Sequence, residues 1–442
     1  MKNIALVGAG LVGSLQALLL AKRGFQVDVF EGRTDIREAG AAGGKSINLA
    51  LSERGWKALK LAGIEDRVAS MAIPMKSRCI HMHDGQITYQ PYGKEGQAIY
   101  SVSRGGLNQL LLTAAGEQSN VNLHFEHKCQ DIDLKSNSIL FDTPTGDIKT
   151  KNYDHIIGAD GAFSAVRTRL QKTDRFNYSQ TYLEHGYKEL VIPAVNGKHQ
   201  IDKNSLHIWP RGEFMLIALA NLDGSFTCTL FFPFEGKHSF SSLDTPEKVT
   251  SFFQDTFADA VALMPTLTDD FFSNPTGSLV TIKCNPWNYQ DKIGLIGDAS
   301  HAIVPFYGQG MNAGFEDCTL FDTALANGNT IGEVISTFSK QRSVDADAIA
   351  ELAVKNFIEM RDKTGDASFL LRKKIEKRLY ERYPTKWMPL YSQVTFSHIP
   401  YSEALAAGAR QDKIMDRIMQ KPDIENRWDS DEVENEILSM VV

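Results

Sequence analysis

The chain has 442 residues, a formal net charge of -7, and 43% apolar and 23% charged residues. That length allows two or three domains with a sizeable core, and the acidic balance lacks the basic stripe a nucleic-acid partner requires. No run of about 18 apolar residues lacks a charge, so no transmembrane helix is expected. The five cysteines (Cys79, Cys129, Cys228, Cys284, Cys318) are odd in number and contain no C-x-x-C pair, which argues against a disulfide framework or a zinc site and for a reducing, cytoplasmic setting.

Ile4 to Gly13 has the apolarity of a secretory signal core, but its glycines fit a nucleotide fold better. Asn3 to Val7 reads as a strand, Gly8 to Gly13 as a turn, Ser14 to Arg23 as a helix stopped by Gly24, and Val27 to Phe30 as a second strand ending at Glu31. This is a βαβ unit with a G-x-G-x-x-G turn. Gly8 permits the tight turn, Gly10 admits a pyrophosphate to the backbone, and Gly13 lets helix and sheet approach closely. The helix N-terminus offers free N–H groups and positive dipole to phosphates. Glu31 is placed to accept from both ribose hydroxyls, favouring FAD or NAD over a phosphorylated ribose. The competing reading is a glycine-rich turn in an unrelated α/β protein.

Further along, His81 and His83 alternate on a predicted strand and are read as having no nearby third ligand, so no metal is expected. Ile156 to Arg167 reads as a strand, a Gly158-Ala159-Asp160-Gly161 turn and a helix start; taken alone, Asp160 reads as a helix cap. Tyr182 to Phe234 is rich in β-branched and aromatic residues with turn signals such as Asp223-Gly224, which predicts antiparallel hairpins. Asp291 to Gly297 is a short strand entering the turn Gly297-Asp298, whose carboxylate can accept from a ribityl hydroxyl. It continues into Pro305-Phe306-Tyr307-Gly308-Gln309-Gly310-Met311-Asn312, where glycines let the backbone lie against a flat ring. His301 packs near that turn. From Thr330 onward the pattern is helical, with Phe357 and Met360 as helix packing, and Glu359 facing either a substrate amine or solvent. The basic run Arg372 to Arg378 reads as a solvated helix face. No repeat or low-complexity linker stands out. The order α/β, β, α/β, α implies a nucleotide domain whose chain leaves to build a sheet and returns.

These three motifs in this order resemble the class A flavoprotein aromatic hydroxylases of para-hydroxybenzoate hydroxylase type, over about residues 1 to 345. The resemblance implies that the first motif holds the ADP half of FAD, the Asp-Gly motif serves FAD and a transiently docked NADPH, and the Gly-Asp motif holds the ribityl chain. The implied cofactor residues are Gly8, Gly10, Leu11, Val12, Gly13, Glu31, Arg33, Ala50, Arg104, Asp160, Asp298, Pro305, Gly308, Gln309, Gly310, Met311 and Asn312. Several strings are similar to the kynurenine 3-monooxygenase family in particular: Lys45 to Ser52, Ser101 to Arg104 with Leu107-Asn108, Tyr187 to Leu190, His207 to Arg211, Gly310 to Cys318, Lys355 to Arg361 and Leu390 to Phe396. Departures are Lys45 in place of Arg, Ser300 in place of Ala, and Tyr307 in place of Phe or His.

That resemblance implies a substrate carboxylate gripped by Arg78, Tyr92, Asn356 and Tyr391, in a pocket shaped by Pro305, Phe306, Tyr307, Glu359 and Met360. Arg is the side chain best matched to a carboxylate, and Tyr hydroxyls and an Asn amide can supply further donors. The implied reaction is L-kynurenine plus NADPH and O2 giving 3-hydroxy-L-kynurenine, through a flavin C4a-hydroperoxide, with no side-chain nucleophile or base and no metal. A related hydroxylase acting on another aromatic amine or acid, and a non-catalytic flavin-bound redox sensor, stay open as alternatives. The expected fold is α/β: a Rossmann-like FAD-binding domain (1–75, 101–180, 286–345), an interleaved antiparallel β-sheet substrate domain (76–100, 181–285), and a C-terminal helical region (346–442) capping the substrate site. Mammalian members of that family carry a C-terminal membrane anchor. Here Ile437 to Val442 is too short and its flank too acidic to span a bilayer, so a soluble bacterial-type form without stable membrane insertion is expected. A homodimer is left open.

Overall fold

The computed structural model describes residues 2–38, 48–360 and 366–441; Lys45 and Arg361 lie outside the described residues. The chain divides into two compact units. The first comprises Met1–Ala72, Val102–Leu183 and Leu279–Ala350, and the second Ile73–Ser101, Glu184–Ser278 and Glu351–Val442.

The first unit is built on a six-stranded sheet, in spatial order Asn288–Tyr289, Ile293–Leu295, His155–Gly158, Asn3–Val7, Gln26–Phe30 and Val121–His124. The last five strands run parallel, and the two-residue edge strand is antiparallel. From Asn3–Val7 the chain adds strands first to one side and then to the other, so the order reverses between Asn3–Val7 and His155–Gly158. Such a switch point opens a crevice at the carboxyl ends of the strands. The first helix spans Leu11–Lys22, and every residue from Gly13 to Ala21 is buried. It is apolar nearly all round, as a helix covered on several sides must be. It begins three residues earlier than the Ser14 expected from composition, because the second half of the glycine turn is already its first turn. A small antiparallel sheet (Lys128–Asp133, Ser138–Asp142, Ile148–Lys149) belongs to the same unit.

A seven-stranded sheet, in the order Thr276–Asn285, Asn177–Ile192, Phe226–Pro233, Met215–Ala220, Ser205–Pro210, Ser77–His81 and Ile87–Pro91, belongs mainly to the second unit, its first two strands being divided by the unit boundaries at Leu183 and Leu279. The stretch expected to form hairpins does so, with Met215–Ala220 antiparallel to both its neighbours. One junction departs from the antiparallel pattern: Ser77–His81 joins Ser205–Pro210 in parallel, since it arrives from a distant part of the chain. One face packs a phenylalanine-rich core containing Trp209, Phe226, Phe232, Phe253 and Phe257.

The C-terminal helices bury a separate cluster around Leu379, Trp387, Met415 and Ile437. The basic helix Ala367–Arg382 is matched by acids within this unit. Arg372 pairs with Glu376, Asp412 and Asp416, while Arg378 and Arg382 both engage the buried Glu434 of the acidic tail. These arginines are therefore partnered internally, as a structural helix face requires. Among the described residues, no helix is long and apolar enough to cross a membrane.

Candidate functional site

The three sequence motifs meet because of strand register. Val7 lies opposite Gly158, and Gly158 opposite Leu295, so parallel strands deliver the turns that follow them to one edge of the sheet. Gly8 has φ +100°, and a Cβ there would lie 2.5 Å from the Ala159 carbonyl oxygen. A Cβ on Gly13 would lie 1.9 Å from the Gly8 carbonyl oxygen, so both positions exclude a side chain. Around Gly10, by contrast, a Cβ would meet nothing within 4 Å. The helix it caps has no acidic residue in its first turn and no side-chain cap. Its leading amides, with Leu11 and Val12 half-buried beside them, therefore remain available to an anion.

Glu31 accepts from the Ala9 amide at 3.0 Å, and from the Arg33 amide and guanidinium at 3.0 and 2.8 Å. Burial works to raise its pKa, but Arg33 and the amides outweigh it and hold the carboxylate below its usual range. Arg33 thus enters this edge as the partner of Glu31. Asp160 is taken up by the helix that follows it: its carboxylate accepts from Ala165 N at 2.7 Å, Val166 N at 3.3 Å and the Ser164 hydroxyl. It caps the helix Ala165–Leu170 and so holds the Gly161 turn (φ +80°).

The third motif rests on a buried ionic network that the motif string does not announce. Asp317, fully buried, accepts from Gly297 N at 2.9 Å, from His301 Nε2 and from Arg342 Nε at 2.8 Å. Arg342 also contacts Glu316 at 2.7 Å, and Glu316 pairs with the buried Arg54. His301 is therefore a structural partner of Asp317. The network fixes Gly297 at φ +60°, and with it the start of Asp298–His301. Asp298 keeps accessible surface although protein rings it, as a group in a concavity does. That crowding raises its carboxylate above the usual pKa, and His301 and Arg104 pull it back. Arg104 is exposed at the first position of the helix Arg104–Gly116. Arg167 ties the second motif to the third, donating to the carbonyls of Ala162 and Ala299.

Pro305–Tyr307 forms a single 3-10 turn ended by Gly308 at φ +66°, with Phe306 and Tyr307 buried. Gln309 is buried and caps the helix Gly310–Ala326, which has neither a side-chain cap nor an acid in its first turn. Its first amides, from Gly310 and Met311, are again open to an anionic edge. Asn312 does a different job: its amide donates to the Ala50 and Gly308 carbonyls, both at 2.8 Å, and its oxygen accepts from Ser52 N at 2.9 Å. It pins the loop to the strand Asn48–Leu51. Ser300 is buried with its hydroxyl on the Gly297 carbonyl. Two uncapped helix N-termini, side-chain-free glycines and an accessible carboxylate fit the phosphates, ring edge and ribityl chain of FAD.

In the second unit, the strand Ser77–His81 carries Arg78. Its Nε is sealed from solvent and has no hydrogen-bond partner, and the same holds for the Tyr92 hydroxyl. The guanidinium carbon lies 4.7 Å from the Tyr391 ring centroid and 5.5 Å from that of Tyr92. The two rings stack at 5.4 Å and 16°. Burial opposes the charge, but Tyr391, Tyr92 and Glu359 more than offset it, so the guanidinium stays protonated. Glu359 also lies 3.7 Å from Lys373. Asn356 is buried one helical turn before Met360, and its amide meets the Met360 sulfur at 3.1 Å. A guanidinium Nε and a phenol hydroxyl left without hydrogen bonds in one aromatic box are costly to bury unless a ligand completes them. A carboxylate matches that donor set.

Sequence reasoning missed Arg54, Glu316, Asp317, Arg342 and Arg167. Glu316 and Asp317 follow the glycine run directly, but nothing local names their partners. It also missed a third neighbour for His81: Cys79, His81 and His207 offer ligand atoms within 4.8 Å of one another, whereas His83 is exposed in a turn.

A family described as FAD binding domain matches residues 1–353. A protein of Flavobacterium johnsoniae named kynurenine 3-monooxygenase is 52% identical over 442 residues, covering 99% of this chain and 98% of the relative. A Sus scrofa protein of the same name is 46% identical, covering 93% and 88%. Among solved structures, p-nitrophenol 4-monooxygenase from Pseudomonas putida has a TM-score of 0.68 at 16% identity, covering 92% of this chain and 99% of that one. A tetrameric 2-methyl-3-hydroxypyridine-5-carboxylic acid oxygenase has a TM-score of 0.67 at 16% identity, covering 86% and 97%. These two share the fold.

Proposed function

Since the chain belongs to the kynurenine 3-monooxygenase family and carries its FAD binding domain, we propose that it is an FAD-dependent monooxygenase that converts L-kynurenine, NADPH, a proton and O2 to 3-hydroxy-L-kynurenine, NADP and water. The observation that carries the substrate class is Arg78, held between Tyr92 and Tyr391 with its Nε unpartnered. Bound FAD supplies the hydride acceptance and oxygen activation, chemistry that belongs to the cofactor.

The chain's own residues bind and orient. Gly8 makes the tight turn with its own amide on the Phe30 carbonyl at 2.7 Å, Gly10, Leu11, Val12 and Gly13 present amides to the pyrophosphate, Glu31 serves the ribose, and Asp298 the ribityl hydroxyls. Pro305, Gly308, Gln309, Gly310 and Met311 face the ring edge, while Asp160, Ala50 and Asn312 hold the turns that do so. The amino-acid end of kynurenine takes its carboxylate to Arg78 and Tyr92, with Asn356 and Tyr391 beside it and Glu359 serving the ammonium. Fixing that end sets the position of the aniline ring, and orientation of this kind can supply several kcal/mol of the barrier. We assign the buried Phe306 and Tyr307 of the first unit, and Met360 beside Asn356 in the second, the role of excluding water from the reaction. In this reading the first unit is the FAD-binding domain, the sheet of the second receives substrate, and residues 346–442 cap it.

All five cysteines are free thiols, which supports a cytoplasmic setting. A homodimer is compatible with the reading, and sedimentation of the purified protein decides it. The test of function is to release and identify the flavin, then follow kynurenine-dependent NADPH oxidation and product mass. Bound FAD without kynurenine-stimulated oxidation or a hydroxylated product would sink the substrate assignment.

A further inference from the structure

The second unit holds a buried cluster of nitrogen and sulfur atoms that the proposed reaction does not use. Cys79 and His81 sit on one face of Ser77–His81, and His207 lies directly opposite Cys79 in the parallel pair. All three are buried. His81 Nε2 is 2.9 Å from His207 Nδ1 and 3.5 Å from Cys79 Sγ.

The outer nitrogens of both rings are committed. His207 Nε2 lies 2.7 Å from the Asp202 carbonyl oxygen, which can only accept, so Nε2 carries its hydrogen. His81 Nδ1 lies 2.6 Å from the Asp259 carboxylate, which also receives the Trp209 indole N–H at 2.9 Å. With both rings neutral and these outer nitrogens protonated, His81 Nε2 and His207 Nδ1 both bear lone pairs. Two lone pairs facing each other at 2.9 Å repel unless a cation lies between them. A shared proton would serve the two nitrogens, yet it gives no reason for a thiol to converge on the same point.

We propose that Cys79, His81 and His207 form a binding site for a thiolate- and imidazole-seeking divalent cation of the zinc class. Imidazoles oriented by a carboxylate and a carbonyl are the outer shell such metals use. Zinc holds nitrogen at about 2.0–2.1 Å and sulfur at about 2.3 Å, so tetrahedral ligand atoms stand roughly 3.3–3.7 Å apart. The sulfur–nitrogen separation already suits this, and the nitrogen pair has to open by a few tenths of an ångström. Charge balances as well: a divalent ion and one thiolate leave a single positive charge, which the half-exposed Asp259 carboxylate on His81 offsets. Metal binding releases the Cys79 proton, which burial otherwise retains. Tyr89 lies opposite Cys79 on the neighbouring strand and meets its thiol, and a water or its hydroxyl would have to complete a fourth position.

The test uses the full-length flavin-loaded protein expressed with added zinc, dialysed against a weak chelator and assayed by elemental mass spectrometry. About one zinc per chain is expected. Cys79→Ser, nearly isosteric, should keep its flavin absorbance and circular dichroism but lose the metal. Asp259→Asn should weaken zinc binding by about tenfold or more. Wild-type protein that holds no zinc and takes up none in a competition titration with a zinc dye overturns the site, as does zinc retained by Cys79→Ser. A histidine nitrogen-15 spectrum showing His81 as an imidazolium in zinc-treated protein also overturns it, assigning the contact to a shared proton. Metal content is the readout, so failure here leaves the hydroxylase reading untouched.

Discussion

Replacing Arg78 with methionine separates a ligand-binding guanidinium from a structural one. Methionine keeps the apolar stem against the Tyr92 and Tyr391 rings, which lie 5.5 and 4.7 Å from the guanidinium carbon, and removes only the charge and its donors. Glu359 is not orphaned, because Lys373 remains 3.7 Å away. In the free protein Arg78 Nε is a buried donor without a partner, so its loss relieves an unmet desolvation cost. Thermal stability should therefore hold or rise, as when a residue kept for function is removed. Kynurenine binding should weaken by roughly 2–5 kcal/mol, the cost of taking one partner from a buried charge pair, or roughly 30- to 4000-fold in Kd. The assay is calorimetric or fluorescence titration of kynurenine into the flavin-loaded variant, with flavin content and Tm measured on the same sample. Unchanged kynurenine affinity refutes the assignment, and so does a lower Tm with flavin loss, which would make Arg78 a structural ion.

Tyr92→Phe removes a hydroxyl with no protein partner, so Tm should stay put while kynurenine affinity falls by about 1 kcal/mol; a destabilised fold with unchanged affinity counts against it. Gly13→Ala drives a methyl to 1.9 Å from the Gly8 carbonyl oxygen, and the purified protein should lose its flavin absorbance at an overpacking cost of about 1–3 kcal/mol; full flavin occupancy would show that the turn is not the FAD cradle. Asp317→Asn leaves His301 and Arg342 without their carboxylate and should cost about 3–5 kcal/mol by denaturant unfolding; a cost under about 1 kcal/mol would mean the network contributes no more than a surface pair. In the metal-free protein burial pushes His207 down to about 4, while an unfolded histidine titrates near pH 6.5. The unfolded chain thus binds the proton first, and stability is lost as pH falls from about 6.5 toward 4. His207→Gln should flatten that acid limb of Tm, and an unchanged limb refutes the assignment.

The first βαβ unit is legible in the sequence because everything that fixes it is local. The strand, the glycines that exclude a Cβ and the acid after the second strand fall within Asn3–Glu31. The parallel junction of the second sheet is not legible, since Ser77 and Ser205, whose hydroxyls meet at 2.9 Å, are 128 residues apart. His207 is hidden for the same reason. Without it, His81 reads as an ordinary strand histidine, and the expectation of no third ligand fails on a contact that only tertiary structure supplies.

Asp160 and Asn312 show why a motif residue need not be a contact residue. A flavin recognised mainly through backbone amides needs the backbone held, and these side chains spend their hydrogen bonds doing that: Asp160 on the first amides of the helix after it, Asn312 on Ala50, Ser52 and Gly308. Their removal would cost flavin by loosening turns, whereas a side chain at Gly10, where nothing stands within 4 Å, would cost flavin by occupying its place. The substrate half inverts this. Arg78 and Tyr92 have polar atoms left over, so their chemistry points outward to a ligand. Unsatisfied buried donors cost folding energy, and in the proposed reading they mark where the chain gives up stability to bind.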